Sequence, residues 1–378
     1  MRLAFVFLTY GKNVFGGIEN ALYNLTQGLK DIGHDACVFT SGTYVTSSSR
    51  NLPAKAYISK YLPTKYDGKV SNLIQFLENN SENINSDFDN FLQNCKPDYI
   101  IAVDPIWGIL PVTKYKFDSE IPFAISYHVA NKWQETKELM HHSFGLPFDK
   151  FFSVSEFLSD EIRSEFFESR DITFNVLPNS IDIGKYTYRN SSNKKYIFCN
   201  SRIAKGKNVD VLVEAFAKAL KGRNIRLKLC LGNFPFGVEK EENEKINKLI
   251  SNYGIEKSVD LLPSLEWESI PEIVSNATLI VLPSTYETFG IAALEASVAG
   301  TPLIVARATN FKNLVEKSAM FFEPNNLEDL TNKVLEVLDN YTYYKELALK
   351  HSIQYKAVYD NRVVAERLIN ELHTNNLL

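Results

Sequence analysis

Cysteine is scarce in this chain: Cys37, Cys95, Cys199 and Cys230 are scattered over 378 residues, too few and too far apart for a disulfide framework. They form no C-x-x-C pair and stand beside no clustered histidines, which also removes a zinc site. The expectation is four buried, reduced thiols in a cytosolic protein. Charge of one sign is missing as well. Lys and Arg number 41 against 45 Asp and Glu, a net charge of −4, so the chain lacks the basic field that nucleic-acid binders use. No apolar run reaches the roughly 18–20 residues that span a bilayer. Residues 2–9 (RLAFVFLT) look like a signal-peptide core, but they are short and run into Tyr10-Gly11 without a small-residue cleavage site. The expected location is cytoplasmic, with peripheral contact at the inner face of a membrane left open. Internal repeats and low-complexity tracts are absent too.

What is present is an ordinary globular composition, 45% hydrophobic and 23% charged, at a length that suits about two domains. Short apolar β-branched runs alternate with amphipathic helical stretches, the order of a parallel α/β sheet. In the first half the strands are Leu3–Leu8, Ala36–Thr40, Asp98–Val103, Phe123–Tyr127 and Phe151–Val154, with a helix over Glu19–Asp31. Residues 184–195 are polar and aperiodic, a linker by composition. A second α/β pattern then starts, with strands at Tyr196–Asn200, Leu227–Leu231, Val259–Leu262, 278–283 and Leu303–Ala306, and an edge strand at Ala319–Phe322. A helical C-terminal segment follows from about Tyr343. We divide the chain into a Rossmann-like domain over 1–185, a second over 186–355, and a terminal helix over 356–378 that packs back on the first.

The chemistry concentrates in Pro283-Ser-Thr-Tyr-Glu287-Thr-Phe289-Gly290-Ile291-Ala-Ala-Leu-Glu295-Ala-Ser-Val-Ala-Gly300. This is strand, turn and helix, closed by Gly300-Thr-Pro302 as a C-cap glycine with a following proline. A helix start at Gly290-Ile291 aims free N–H groups and a positive dipole end at the mouth of the sheet, ready for a phosphate. Glu287 precedes the helix, and Glu295 lies about 80° round the helix from its extrapolated position. One acid can serve the near side of a held phosphate and the other the far side. As an isolated pair they would more simply be two surface glutamates.

Three more groups sit at strand ends, where open α/β sheets bind ligands. Arg202 and Lys207 follow the first strand of the second half and could hold a diphosphate, Arg as a fork and Lys as a point charge. Gly16-Gly17, between the first strand and first helix, permit a tight turn and close backbone approach. The loop is not G-x-G-x-x-G, so hydride transfer is disfavoured. His128 closes Phe123–Tyr127; alone, such a histidine is more often structural. His141 and His142 read as surface residues of a helix. Asp87-Phe-Asp89 matches a D-x-D pattern that can hold a divalent metal, but it lies in an Asn/Ser-rich stretch that reads as a solvated helix start, and we reject it. Residues 50–69 carry Arg50, Lys55, Lys60, Lys65 and Lys69 against Asp67, a local charge of +4. A solvated loop is one reading of that segment. Contact with anionic phospholipid or a lipid-diphosphate acceptor is the other, at ~1 kcal/mol per cation.

Together these residues resemble the retaining glycosyltransferases of family 4, which have the GT-B fold. That family's signature is Glu, seven residues, Glu, with Phe-Gly after the first acid and Ala-x-x-x-Gly-x-Pro after the second. Glu287, Phe289, Gly290, Glu295, Ala296, Gly300 and Pro302 match it place for place. Arg202 and Lys207 keep the family's spacing of five, and Val154-Ser155-Glu156 and Pro178-Asn179 match further landmarks. The resemblance implies two Rossmann-like domains facing across a cleft, the first for the acceptor and the second for the donor. It implies transfer of a sugar from a UDP- or GDP-linked donor to a sugar, glycolipid or other small acceptor, with retention, in bacterial polysaccharide, glycolipid or glycoconjugate biosynthesis. Arg202, Lys207 and the Phe289-Gly290-Ile291 backbone would hold the diphosphate, Glu287 the sugar hydroxyls and Glu295 the ribose. Gly16, Gly17 and His128 would come from the first domain. No metal or other cofactor and no nucleic acid is called for.

The departures from the family are Asn208 and Ser180 where glycine is common, Pro263-Ser264 at a usually glycine-containing turn, Asn313 in place of an acid, and the glycine-free loop Ala308-Thr309-Asn310-Phe311. If position 180 needs a positive φ, serine there is modestly strained. Other GT-B enzymes (a phosphorylase or a sugar-nucleotide epimerase) and a non-catalytic sugar-nucleotide-binding protein are the alternatives.

Overall fold

The computed structural model describes residues 1–10, 16–41, 52–63, 69–109, 120–130, 134–166, 172–187, 195–202, 204, 206–219, 223–232, 240–263 and 265–374. The chain forms two compact units, Met1–Ile181 with Asp360–Leu378, and Asp182–Tyr359. Most of the polar stretch 184–195, namely 188–194, lies outside the described residues.

The first unit holds β1 (Arg2–Val6), β2 (Asp35–Ser41), β3 (Lys55–Ser59), β4 (Tyr99–Val103), β5 (Phe123–Tyr127), β6 (Lys150–Ser153) and β7 (Phe174–Val176). Their order in the sheet is β3-β2-β1-β4-β5-β6-β7. Every described pairing is parallel, with registers such as Leu3 opposite Ala36 on one side and Tyr99 on the other. Central strands covered on both faces need apolar residues at every position. β4 (YIIAV) and β5 (FAISY) are accordingly buried throughout.

The helix Gly17–Asp31 turns Ala21, Leu22 and Leu29 to the core. Beside it packs the last helix, Asn361–His373, whose Val364, Ala365, Leu368 and Leu372 join Leu3, Phe5 and Leu22 in one buried cluster. Asn361 N–H donates to the Ile181 carbonyl at 3.1 Å, and the Asp360 side chain caps the helix by accepting from Arg362 N–H. The two helices meet at Gly28, where a Cβ would overlap the Asn361 carbonyl oxygen. Close approach is what requires glycine at that position.

Three expectations are corrected here. The C-terminal helical segment is two helices, Tyr341–Tyr359 and Asn361–His373, because Asp360 leaves helical geometry to act as an N-cap. The stretch holding Asp87 and Asp89 lies inside the helix Ser81–Cys95, not at a solvated helix start, and it buries Ile84, Phe88 and Phe91. Tyr57 O–H donates to Asp87 there at 2.9 Å, so that acid is tied to β3. Finally, Cys37 on β2 and Cys95 at the end of the same helix form a disulfide, while Cys199 and Cys230 are free and buried as expected. Packing that helix on the sheet brings together two thiols that lie 58 residues apart in sequence.

The second unit holds β8 (Tyr196–Arg202), β9 (Arg226–Gly232), β10 (Val259–Leu262), β11 (Leu279–Leu282), β12 (Leu303–Ala306) and β13 (Ala319–Phe322). The sheet order is β10-β9-β8-β11-β12-β13, again parallel in every described pairing. Both halves are Rossmann-like parallel sheets with interleaved helices. Among the described residues no helix is long and apolar enough to cross a membrane.

Candidate active site

In the second sheet β8 and β11 are neighbours although β9 and β10 intervene in sequence. The chain winds one way from β8 and the other way from β11. The crevice at their carboxyl ends is therefore the place where open α/β sheets take ligands. Arg202 ends β8 and is exposed, and Gly206-Lys207 follow; Ile203 and Lys205 lie outside the described residues. The turn Pro283–Gly290 follows β11. Thr285 stitches the two loops together, its N–H and its hydroxyl both donating to the Gly206 carbonyl, at 2.8 and 3.1 Å. Lys207 and Glu287 then form an ion pair across the crevice, with side chains only 16% and 24% exposed. The expected phosphate cation and sugar acid thus meet at the switch point.

Behind that pair the helix Ile291–Ala299 begins at Gly290, which has φ +96° and provides no side-chain cap. The left-handed geometry admits glycine readily and other residues at a cost. Space demands glycine as well, since a Cβ would stand 2.7 Å from the Phe311 ring. The helix closes at Gly300, φ +63°, whose carbonyl accepts from Lys345 Nζ at 2.7 Å. Burial pushes the Lys345 ammonium down to about 8.

One turn into this helix, Glu295 is buried and accepts from the Tyr186 hydroxyl at 3.0 Å. Burial raises its carboxyl from 4.5 to about 7, and the Tyr186 hydrogen bond opposes only part of that rise. Because the folded pKa lies above the unfolded one, the folded state holds the proton more tightly. Stability from this group is therefore full below pH 4.5 and is lost as pH rises to about 7. Glu295→Gln is expected to be more stable than the wild type by about 3 kcal/mol at pH 8. The gap should close at pH 4, and thermal melts at the two pH values measure it. An advantage that does not change with pH would contradict the buried carboxyl as its cause.

Positive φ at non-glycine residues marks two of the departures noted in the sequence. Asn208 has φ +49° and Thr309 φ +40°; Ser180 is not in the left-handed region, so the strain considered there is absent. Asparagine tolerates that region through its short polar side chain, whereas β-branched threonine does not. Asn313 lies in the short helix Phe311–Leu314, and Ser264 is outside the described residues.

In the first unit Gly16 and Gly17 begin the helix after β1. A Cβ on Gly16 would overlap the Glu19 carboxylate, which accepts from the Thr9 hydroxyl at 2.8 Å. His128 stands at the end of β5, half-buried, with Nε2 3.4 Å from Ser126 Oγ. Burial pushes its imidazole down to about 4, which keeps it neutral at pH 7. It borders a cavity of about 30 Å³ with Ser126, Asn179 and Ser180, wide enough for a water molecule. Ser180 Oγ is buried there and has no partner among the described residues. His141 and His142 are exposed on the helix Gln134–Phe144. Of the basic segment, Arg50, Lys65 and Asp67 lie outside the described residues, while Lys60 Nζ sits 4.9 Å from the Tyr61 ring centre.

Sequence reasoning missed Tyr186, Thr285, Thr309 and Asn310. Nothing local pointed to Tyr186, whose partner Glu295 is 109 residues away. The absence of glycine from 308–311 was the available sign for the last two.

Two family models match the chain: one described as Glycosyltransferase Family 4 over residues 15–185, and one described as Glycosyl transferases group 1 over 185–353. An uncharacterised glycosyltransferase of Methanocaldococcus jannaschii is 25% identical over 58% of each chain. Mannosylfructose-phosphate synthase of Agrobacterium fabrum is 26% identical over 46% of this chain and 39% of its own. The chain thus spans 58% or less of these curated relatives. Among solved structures, sucrose-phosphate synthase from Thermosynechococcus elongatus superposes with a TM-score of 0.82 over 98% of each chain at 16% identity. Anabaena HepE, solved with UDP and glucose, gives 0.76 over 98% of this chain and 99% of its own at 17% identity. These likenesses establish the GT-B fold. The two family models share residue 185 and together take in residues 15–353, and the chain belongs to the family-4 glycosyltransferases, with a group 1 domain as its second half.

Proposed function

We propose that the protein transfers a sugar from a nucleoside-diphosphate sugar to an acceptor hydroxyl with retention at the anomeric carbon. The observation that carries this proposal is the Lys207–Glu287 pair at the switch point, beside a glycine-started helix N-terminus. With donor bound, Lys207 turns from Glu287 to the diphosphate, joined by Arg202 and the first amides of the helix at Gly290 and Ile291. Glu287 is thereby released to accept from sugar hydroxyls. Glu295 takes the ribose, and Phe289 walls the turn. Gly16, Gly17 and neutral His128 complete the set at strand ends of the first unit's own sheet. The anomeric C–O bond breaks with its electron pair passing to the β-phosphate oxygen. The acceptor oxygen bonds to the same face, and its proton goes to the departing phosphate. Preorganised positive groups at the leaving diphosphate supply the rate enhancement, and no metal, other cofactor or enzyme nucleophile is needed.

HepE was solved with UDP-glucose, which supports a nucleotide-sugar donor. The acceptor is proposed as a sugar, glycolipid or other small hydroxyl compound, and the setting as cytoplasmic polysaccharide or glycoconjugate synthesis. The test incubates the protein with UDP-glucose or GDP-mannose and a panel of sugar and glycolipid acceptors. UDP or GDP should accumulate with acceptor present, and NMR should show the donor's anomeric configuration kept in the product. Inverted product, or sugar release that requires inorganic phosphate, would refute the proposal.

A further inference from the structure

The loop after β12 takes hold of the Glu287 turn with three consecutive residues. Thr309 Oγ1 accepts from the Glu287 N–H at 2.8 Å. Asn310 donates from its side-chain amide to the Phe289 carbonyl at 2.8 Å, and from its own N–H to the Glu287 carbonyl at 3.4 Å. Phe311 stands against Gly290, leaving no room for a Cβ. Asn310 and Phe311 are buried, and Thr309 is half-buried at the mouth of the site. The backbone of Thr309 lies at φ +40°. Among the described residues, the other non-glycine residues with positive φ are Lys96, Asp104, Asn208 and Asn325, none of them β-branched. Strain at such a residue persists only where surrounding contacts over-determine it, and it concentrates at functional sites. Glycine at 309 could not supply the hydroxyl that accepts from Glu287 N–H.

We propose that Thr309 is a positioning residue that aims the Glu287 carboxylate at the donor's sugar. This rests on the reading of Glu287 as the sugar-binding acid. By accepting from the Glu287 N–H, the hydroxyl fixes the backbone from which that carboxylate extends. Asn310 fixes the other side of the same residue and the carbonyl two positions on. The loop therefore controls the sugar half of the donor subsite and leaves the nucleotide half to Arg202, Lys207 and Glu295. Threonine is kept at a backbone conformation that favours glycine because its side chain replaces, in this chain, what a glycine-bearing loop would do with main chain alone.

Thr309→Val keeps the shape and removes the acceptor, Thr309→Ser keeps the acceptor, and Thr309→Gly relieves the backbone. With whichever of UDP-glucose or GDP-mannose the protein turns over, Thr309→Val is expected to lower kcat/KM about tenfold, the worth of one hydrogen bond. Inhibition by the matching UDP or GDP, which lacks the sugar, should stay within twofold of the wild type. Thr309→Ser should restore kcat/KM to within about threefold. Thr309→Gly should lose activity like the valine variant while melting no lower than the wild type. A valine variant with unchanged kcat/KM, or one that weakens UDP or GDP inhibition in equal proportion, would overturn the inference. Glu287→Gln is measured alongside. If it too leaves kcat/KM unchanged, the reading of Glu287 fails and takes the inference with it, whereas a large effect there with none at Thr309 sinks the inference alone.

Discussion

Lys207→Ala is expected to lower turnover on the order of a hundredfold, the loss found when one preorganised charge-stabilising donor is removed from an active site. Two effects combine in that variant. The leaving diphosphate loses a cation where charge develops, and Glu287, largely shielded from water, loses its partner in the empty protein. An unpaired, partly buried carboxylate is itself costly. Lys207→Arg separates the two, since it keeps the charge but replaces a mobile ammonium with a planar fork. It should retain the stability of the ion pair yet recover only part of the rate. Single-turnover measurement of nucleoside diphosphate release is the appropriate assay, because slow product release would hide a change in the chemical step. Arg202→Ala should act in the same direction. Near-normal turnover in both alanine variants would count against the proposed reaction.

Gly290→Ala is the second variant with a large expected effect, this time on stability. An L-residue at φ +96° carries about 1–2 kcal/mol of backbone strain. The new methyl would also meet the Phe311 ring at 2.7 Å, and overpacking of that kind costs about 1–3 kcal/mol. Together they suggest about 3 kcal/mol, or a fall in melting temperature of roughly 6–12 °C for a unit of this size. Calorimetry of the purified variant tests it. A melting temperature within 2 °C of the wild type, or roughly so, would mean that Phe311 gives way freely and that the turn is less rigid than its hydrogen bonds imply. Phe311 follows directly on the two residues that hold Glu287 and Phe289, so the substitution should also reduce donor binding.

The parts legible in the sequence were those whose cause is local. Residues 279–282 and 303–306 are short apolar runs because strands covered on both faces have no polar side to show, whereas 319–322 is an apolar edge strand that is largely half-buried. The helix Ile291–Ala299 ends where Gly300-Thr-Pro302 halts it, and begins at a glycine that can turn left-handed. Arg202, Lys207, Glu287 and Glu295 could be picked out because strand ends and helix starts recur at the mouths of α/β sheets. The polar stretch around Asp87 misled because its apolar residues are sparse, yet Ile84, Phe88 and Phe91 fall on one helical face and are buried there.

By itself the sequence determined most of the strands and helices in their order, though not β3, β7 or the helix Val70–Asn79, and it determined the acids and cations of the candidate site and the glycines of its turn. Each of these follows from chemistry within a few residues of chain. Tertiary structure alone decided which distant groups meet. It brought Tyr186 to Glu295 across 109 residues, Thr309 to Glu287 across 22, and Cys37 to Cys95 across 58. It also paired Lys207 with Glu287, 80 residues on, by placing β8 beside β11. No local propensity encodes such pairings. They arise when buried surfaces close on one another and each enclosed polar group must find a partner.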